Sequence, residues 1–161
     1  MIFGMTSFTF IHVLISLIGI ISGLIVLAGL LASDRKDGWT LIFLVTTAAT
    51  SLTGFGFPYQ GFTPAIGVGI LSIIILIIAA AARYPLRLAG AWRWIYVITA
   101  LIALYLNVFV LVAQSFQKIP ALNALAPTGS EPPFAIAQGV VLLLFIAAGF
   151  ACLRRFHPAM R

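Results

Sequence analysis

The sequence predicts an all-α, polytopic membrane helix bundle with five transmembrane helices, and three observations predict it. Hydrophobic residues fill 63% of the 161 positions against nine Lys/Arg and three Asp/Glu, too few polar groups to clothe a water-soluble domain of this size. The apolar residues fall in runs long enough to cross about 30 Å of hydrocarbon at about 1.5 Å per residue. The basic residues then collect in alternate gaps between those runs, as they do where one side of a membrane faces the cytoplasm.

The first run extends from about 8 to 31 and ends in the charged turn SDRKDG. The N-terminal MIFGMTSF has no Lys or Arg, and the run behind it exceeds the h-region of a signal peptide, so the first helix is expected to stay. The second, about 39–55, sits near the short limit for a crossing, with a re-entrant segment as the alternative. It stops at GFGFPYQGFTP, whose glycines and prolines break any continuous helix.

The third run, about 65–82, ends at RYPLR. The fourth, about 91–116, opens on Trp92 and Trp94, amphipathic rings suited to a headgroup boundary. QKIPALNALAPTGSEPP follows as the longest connection, and the fifth helix is expected over about 134–153. At this length the whole chain, 1–161, makes one transmembrane domain.

Five crossings place Arg35, Lys36, Arg83, Arg87, Arg93, Arg154, Arg155 and Arg161 on one side and Lys118 alone on the other. Four or six would mix them. The expected orientation is therefore N-terminus outside and C-terminus inside. On this reading the formal charge of +6 reports topology, and no nucleic-acid partner is expected.

In lipid, helices meet through small residues and hydrogen bonds, so those residues mark candidate faces. His12, Ser16, Gly19 and Gly23 recur on one side of the first helix, and Gly19 with Gly23 forms a GxxxG pair, a candidate contact for a second copy or a larger complex. On the third, Gly69 and Ser72 share a face expected to pack. Asn107 and Gln114 align on the fourth, and Gln138 lies near the start of the fifth. The second carries Thr46, Thr47, Thr50, Ser51 and Thr53, whose hydroxyls can bond back one turn.

With the expected orientation, His12, Ser16, Thr50, Thr53, Asn107, Gln114 and Gln138 gather toward the outer leaflet. Three readings are open. These groups satisfy one another in a packed bundle, they wall an outward-facing pocket for a lipid, a quinone or a small polar solute, or they make polar contacts with another protein.

Catalysis is disfavoured. His12 and His157 are expected at opposite ends, so neither a haem held within the chain nor a zinc or di-iron site has enough ligands, and no acidic residue lies inside an expected span. Ion-coupled transport lacks an intramembrane carboxylate for the same reason. The single Cys152 excludes an intrachain disulfide. The cofactor is left unknown, and the remaining basic stretch RYPLRLAGAWR reads first as the inside signal and second as an attractor of anionic headgroups.

The stretches DGWTLIFLVTTAATSLTGFGFP, AGAWRWIYVITALIALYLNVFVLVAQSF and SEPPF resemble a family of small bacterial multipass membrane proteins without an established activity. The resemblance implies a bacterial cytoplasmic (inner) membrane and carries over no catalytic residue. The leading expectation is a non-catalytic binding or accessory subunit in contact with membrane lipid, self-associating or docked on a larger membrane complex. The alternatives are a membrane-embedded redox or lipid-modifying enzyme using His12, and a permease for a neutral solute.

Overall fold

The computed structural model describes residues 1–58 and 60–159. Arg161, one of the basic residues assigned to the inner side, lies outside them. Among the described residues helices are joined by turns and irregular connections, with no strand and a single isolated bridge between Ile2 and Met5. The helices are α1 (Ser7–Leu31), α2 (Asp37–Gly54), α3 (Pro64–Arg83), α4 (Trp92–Lys118), α5 (Pro120–Leu125) and α6 (Pro132–Arg155).

The starts of α1, α3, α5 and α6 have local causes. Thr6 and Thr63 cap α1 and α3, accepting hydrogen bonds from the N–H groups of Thr9 and Ile66. Proline occupies the first turn of α3, α5 and α6, where its missing N–H costs nothing. The same property explains α5, a short helix at Pro120 within a stretch the sequence reads as plain connection.

Four helices, α1, α3, α4 and α6, are long and apolar enough to cross a membrane. The fifth expected span, α2, is not among them. Its 18 residues include Asp37 and the hydroxyls of Thr40, Thr46, Thr47, Thr50, Ser51 and Thr53, which lower its apolar content. It nevertheless runs antiparallel to α1. Phe8 at the start of α1 meets Phe57 just beyond the end of α2, with ring centroids 5.0 Å apart.

The helices α1, α2, α3 and α4 pack in a ring in which each touches the next, and α6 lies over α4 and α1. The tightest core is displaced toward the end where the basic residues collect. It joins Val26 and Leu30 of α1, Phe43 and Leu44 of α2, Ala79 and Ala82 of α3, and Tyr96 to Leu106 of α4. Cys152 and Phe156 seal it from α6 and the tail beyond. By contrast α6 is largely uncovered, with Ile136, Val140, Leu143 and Phe150 on its open face.

The GxxxG pair lies inside this packing. A Cβ built at Gly23 would lie 2.5 Å from Cδ1 of Leu104 and 2.9 Å from the Phe43 ring. At Gly19 it would lie 3.3 Å from the hydroxyls of Thr46 and Thr47 and 3.6 Å from the Asn107 amide. The face read from the sequence as a contact for a second copy is therefore filled by α2 and α4 of the same chain. Gly69 on α3 similarly receives the Phe55 ring, with 3.0 Å from a built Cβ to its Cζ, and Ser72 is buried one turn on.

Candidate functional site

Of the polar residues singled out by the sequence, His12, Thr53, Asn107 and Gln138 make separate bonds between helices. His12 Nδ1 lies 2.7 Å from Thr53 Oγ1, joining α1 to α2. Thr53 Oγ1 also donates to the Ala49 carbonyl at 2.7 Å. The His12 ring stands edge-on to Phe57, with centroids 5.1 Å apart.

Deeper in the bundle, the Asn107 amide donates to Thr47 Oγ1 at 3.2 Å, joining α4 to α2 beside Gly19. On the other side of α4, Gln138 Nε2 donates to the Phe109 carbonyl at 3.0 Å, tying α6 in place. Its Oε1 is buried without a described partner. Ser16 and Thr50 spend their hydroxyls on carbonyls of their own helices, at His12 and Thr46. Gln114 is half-buried on α4 and enters none of these bonds.

The cavity at this end of the bundle lies elsewhere, where α4 finishes and α6 begins. It measures about 370 Å³ and is lined by Ala113, Phe116, Gln117, Ala126 to Gly129, and Phe134. One wall is the edge-to-face pair of Phe116 and Phe134, with centroids 5.5 Å apart. The Asn123 amide donates to the Phe116 carbonyl at 3.3 Å, holding α5 beside that wall.

Glu131 organises the loop over the cavity. Its carboxylate accepts from the backbone N–H of Thr128 at 3.0 Å, the Thr128 hydroxyl at 2.8 Å and the N–H of Ser130 at 3.1 Å. Those donors, the Thr128 N–H foremost, hold its pKa below the ordinary value of 4.5. None of the seven residues named from the sequence lines this cavity. Its sequence signal was present as aromatic residues flanking a proline-rich connection, but pairing Phe116 with Phe134 required the fold.

A second polar constellation, at the basic end, was read from the sequence only as part of the inside signal. The Arg83 side chain is buried at 1% exposure, although it closes α3 in a stretch resembling a surface turn. Its Nη2 donates to the Arg35 carbonyl at 2.8 Å and pairs with Asp37. Its guanidinium carbon lies 5.2 Å from the centre of the Tyr96 ring, a cation–π arrangement. The side chain thus ties the α1–α2 turn to α3 and α4.

That cluster is incompletely satisfied. Arg83 Nε and Nη1 and the Tyr96 hydroxyl have no hydrogen-bond partner among the described residues. The Tyr96 hydroxyl is directed toward Thr40 and Arg83 without completing a bond to either. Phe156 covers the group from below, fully buried, with its ring centroid 6.1 Å from that of Tyr96. Arg93 Nη1 holds the Phe156 carbonyl at 2.7 Å, and the His157 N–H donates to Ser33 Oγ at 2.8 Å.

Among the described residues no group of three or more His, Cys, Asp or Glu side chains converges as a metal site would require. Compared with family models, with curated proteins and with solved structures, the chain matches none.

Proposed function

We propose that the chain is a five-crossing protein of the bacterial inner membrane, N-terminus outside and C-terminus inside. It acts as a non-catalytic binding or accessory subunit, and its ligand occupies the cavity between α4, the loop 126–129 and α6. The observation that carries this reading is the cavity itself. Its volume of about 370 Å³ falls in the range of small-molecule sites, about 300–1,000 Å³. An aromatic wall with Gln117 and Thr128 beside it suits a small amphipathic molecule, such as a quinone-like ring or part of a lipid headgroup.

The asymmetric core supports the same reading. Tight packing is concentrated at the basic end, so the opposite end can accommodate a guest without disturbing the most buried contacts. Of the polar residues expected to wall the site, His12, Thr53, Asn107 and Gln138 are engaged in helix-to-helix bonds, each contributing on the order of 0.6 kcal/mol. They position the helices that carry the cavity.

The fifth crossing is supported by the antiparallel course of α2 beside α1 and by the distribution of charge. The described residues Arg35, Lys36, Arg83, Arg87, Arg93, Arg154 and Arg155 lie at one end and Lys118 at the other.

Native mass spectrometry of protein extracted gently from its own membrane tests the binding role. A bound small molecule is expected, lost in Phe134→Ala and kept in Leu143→Ala, whose side chain lies on the open face of α6. No bound molecule, or equal retention by both variants, overturns the assignment.

A further inference from the structure

The basic end carries a second cleft, of about 420 Å³, lined by Leu88, Ala89, Gly90, Arg93, His157 and Pro158. Its floor is the turn between α3 and α4, where Arg87, Leu88 and Gly90 have left-handed backbone with φ of 49°, 58° and 53°. Leu88 N–H to Ala82 O at 2.9 Å and Ala89 N–H to Leu86 O at 3.0 Å fix that turn. The cleft is therefore preformed rather than an accident of loose loops.

Charge around it is unbalanced. The ion pairs among the described residues engage Arg35, Lys36 and Arg83, and none reaches Arg87, Arg93, Arg154 or Arg155. Arg93 is half-buried at the cleft wall and oriented by its bond to the Phe156 carbonyl. A guanidinium presents five N–H donors in a planar fork matched to phosphate oxygens, and that one bond leaves the remaining donors of Arg93 available.

Depth narrows the ligand. Trp92 and Trp94 flank Arg93 and are exposed, and exposed indole rings settle at the level of lipid headgroups. A soluble anion would need only the charge, whereas a phospholipid also uses the apolar helix surface beside it.

We propose that this cleft binds the phosphate of an anionic glycerophospholipid, held by Arg93 and by Arg87 on the adjoining turn. The test uses the full chain in detergent, with native mass spectrometry to compare phosphatidylglycerol and phosphatidylcholine. Phosphatidylglycerol is retained at least tenfold better. Arg87→Gln and Arg93→Gln each lower its retention about fivefold, the worth of one basic residue at a membrane surface.

Lys36→Gln, which removes a charge at the same end away from the cleft, leaves retention unchanged. Because Arg93 also holds the tail, Arg87→Gln carries the test if Arg93→Gln fails to fold. Equal binding of the two lipids overturns the proposal, as does an equal loss in Lys36→Gln, the mark of diffuse charge. Glycerol phosphate displacing the lipid at matched concentration also overturns it, making the site one for a soluble phosphoester.

Discussion

Burial of Arg83 gives single residues an uneven importance at the basic end. Its charge is matched by Asp37, whose side chain is 71% exposed, and by a carbonyl and an aromatic face, while two of its nitrogens and the Tyr96 hydroxyl are left over. A buried hydroxyl without a partner contributes nothing through hydrogen bonding. Tyr96→Phe, which removes an uncompensated buried hydroxyl, is therefore expected to be at least as stable as the parent in thermal unfolding, whereas Tyr96→Leu loses the ring under Arg83 and costs about 2 kcal/mol or more. A large loss in the phenylalanine variant would reveal a bridging water or ligand on the hydroxyl. At the opposite end Glu131 answers to pH. Its folded pKa is depressed, so its contribution is complete above the ordinary value of 4.5 and is lost as pH falls through the lower folded value. Hydrogen exchange at the Thr128 and Ser130 amides should accelerate over that acidic window in the parent, relative to intrinsic rates, and should be fast and without that transition in Glu131→Gln.

Helices pack here by close approach at a few positions, and Gly23 shows the consequence most directly. A methyl group there meets Leu104 and the buried Phe43 ring at distances below van der Waals contact, and such overpacking costs about 1–3 kcal/mol. Gly23→Ala should lower the unfolding temperature, and it should do so in monomeric protein, since the crowding lies within one chain. An effect seen only in an oligomer would contradict this placement. The helices themselves were largely legible in the sequence, because prolines, threonine caps and apolar runs act over a few residues. The start of α2 at Asp37 was missed because it follows a charged turn that resembles plain loop, and the short α5 at Pro120 because a single residue separates it from α4 in a proline-rich stretch that reads as connection. The pairings of His12 with Thr53 and of Gln138 with the Phe109 carbonyl were not legible, since they depend on how each helix is rotated about its axis.

For the whole molecule, the course of α2 decides the topology. If it crosses, Ile2 and Gln60 lie on the same side of the membrane, and if it does not, they lie on opposite sides. In a Cys152→Ser background, Ile2→Cys and Gln60→Cys should both react with a membrane-impermeant maleimide added outside intact cells. Ala89→Cys should react only after the membrane is opened. Labelling of Ile2→Cys and Gln60→Cys from opposite sides would reduce the crossings to four and reverse the C-terminus. The separation of a tightly packed basic end from a looser end with a cavity also gives the two proposed sites distinct roles, one anchoring the protein among lipid headgroups and the other receiving a guest.

By itself the sequence determined that the chain is built of long apolar helices, where most of them begin and end, and how its basic residues divide between the gaps. These depend on composition, on period and on breakers that act locally. Only the tertiary structure decided that the Gly19–Gly23 face is filled by α2 and α4, that Arg83 is buried against the Tyr96 ring, and that the cavity lies between α4, the loop 126–129 and α6. The physical reason is that lipid and protein interior are both apolar, so a helix hydrophobic on every side does not announce which face turns inward. That choice is made by the neighbours it meets.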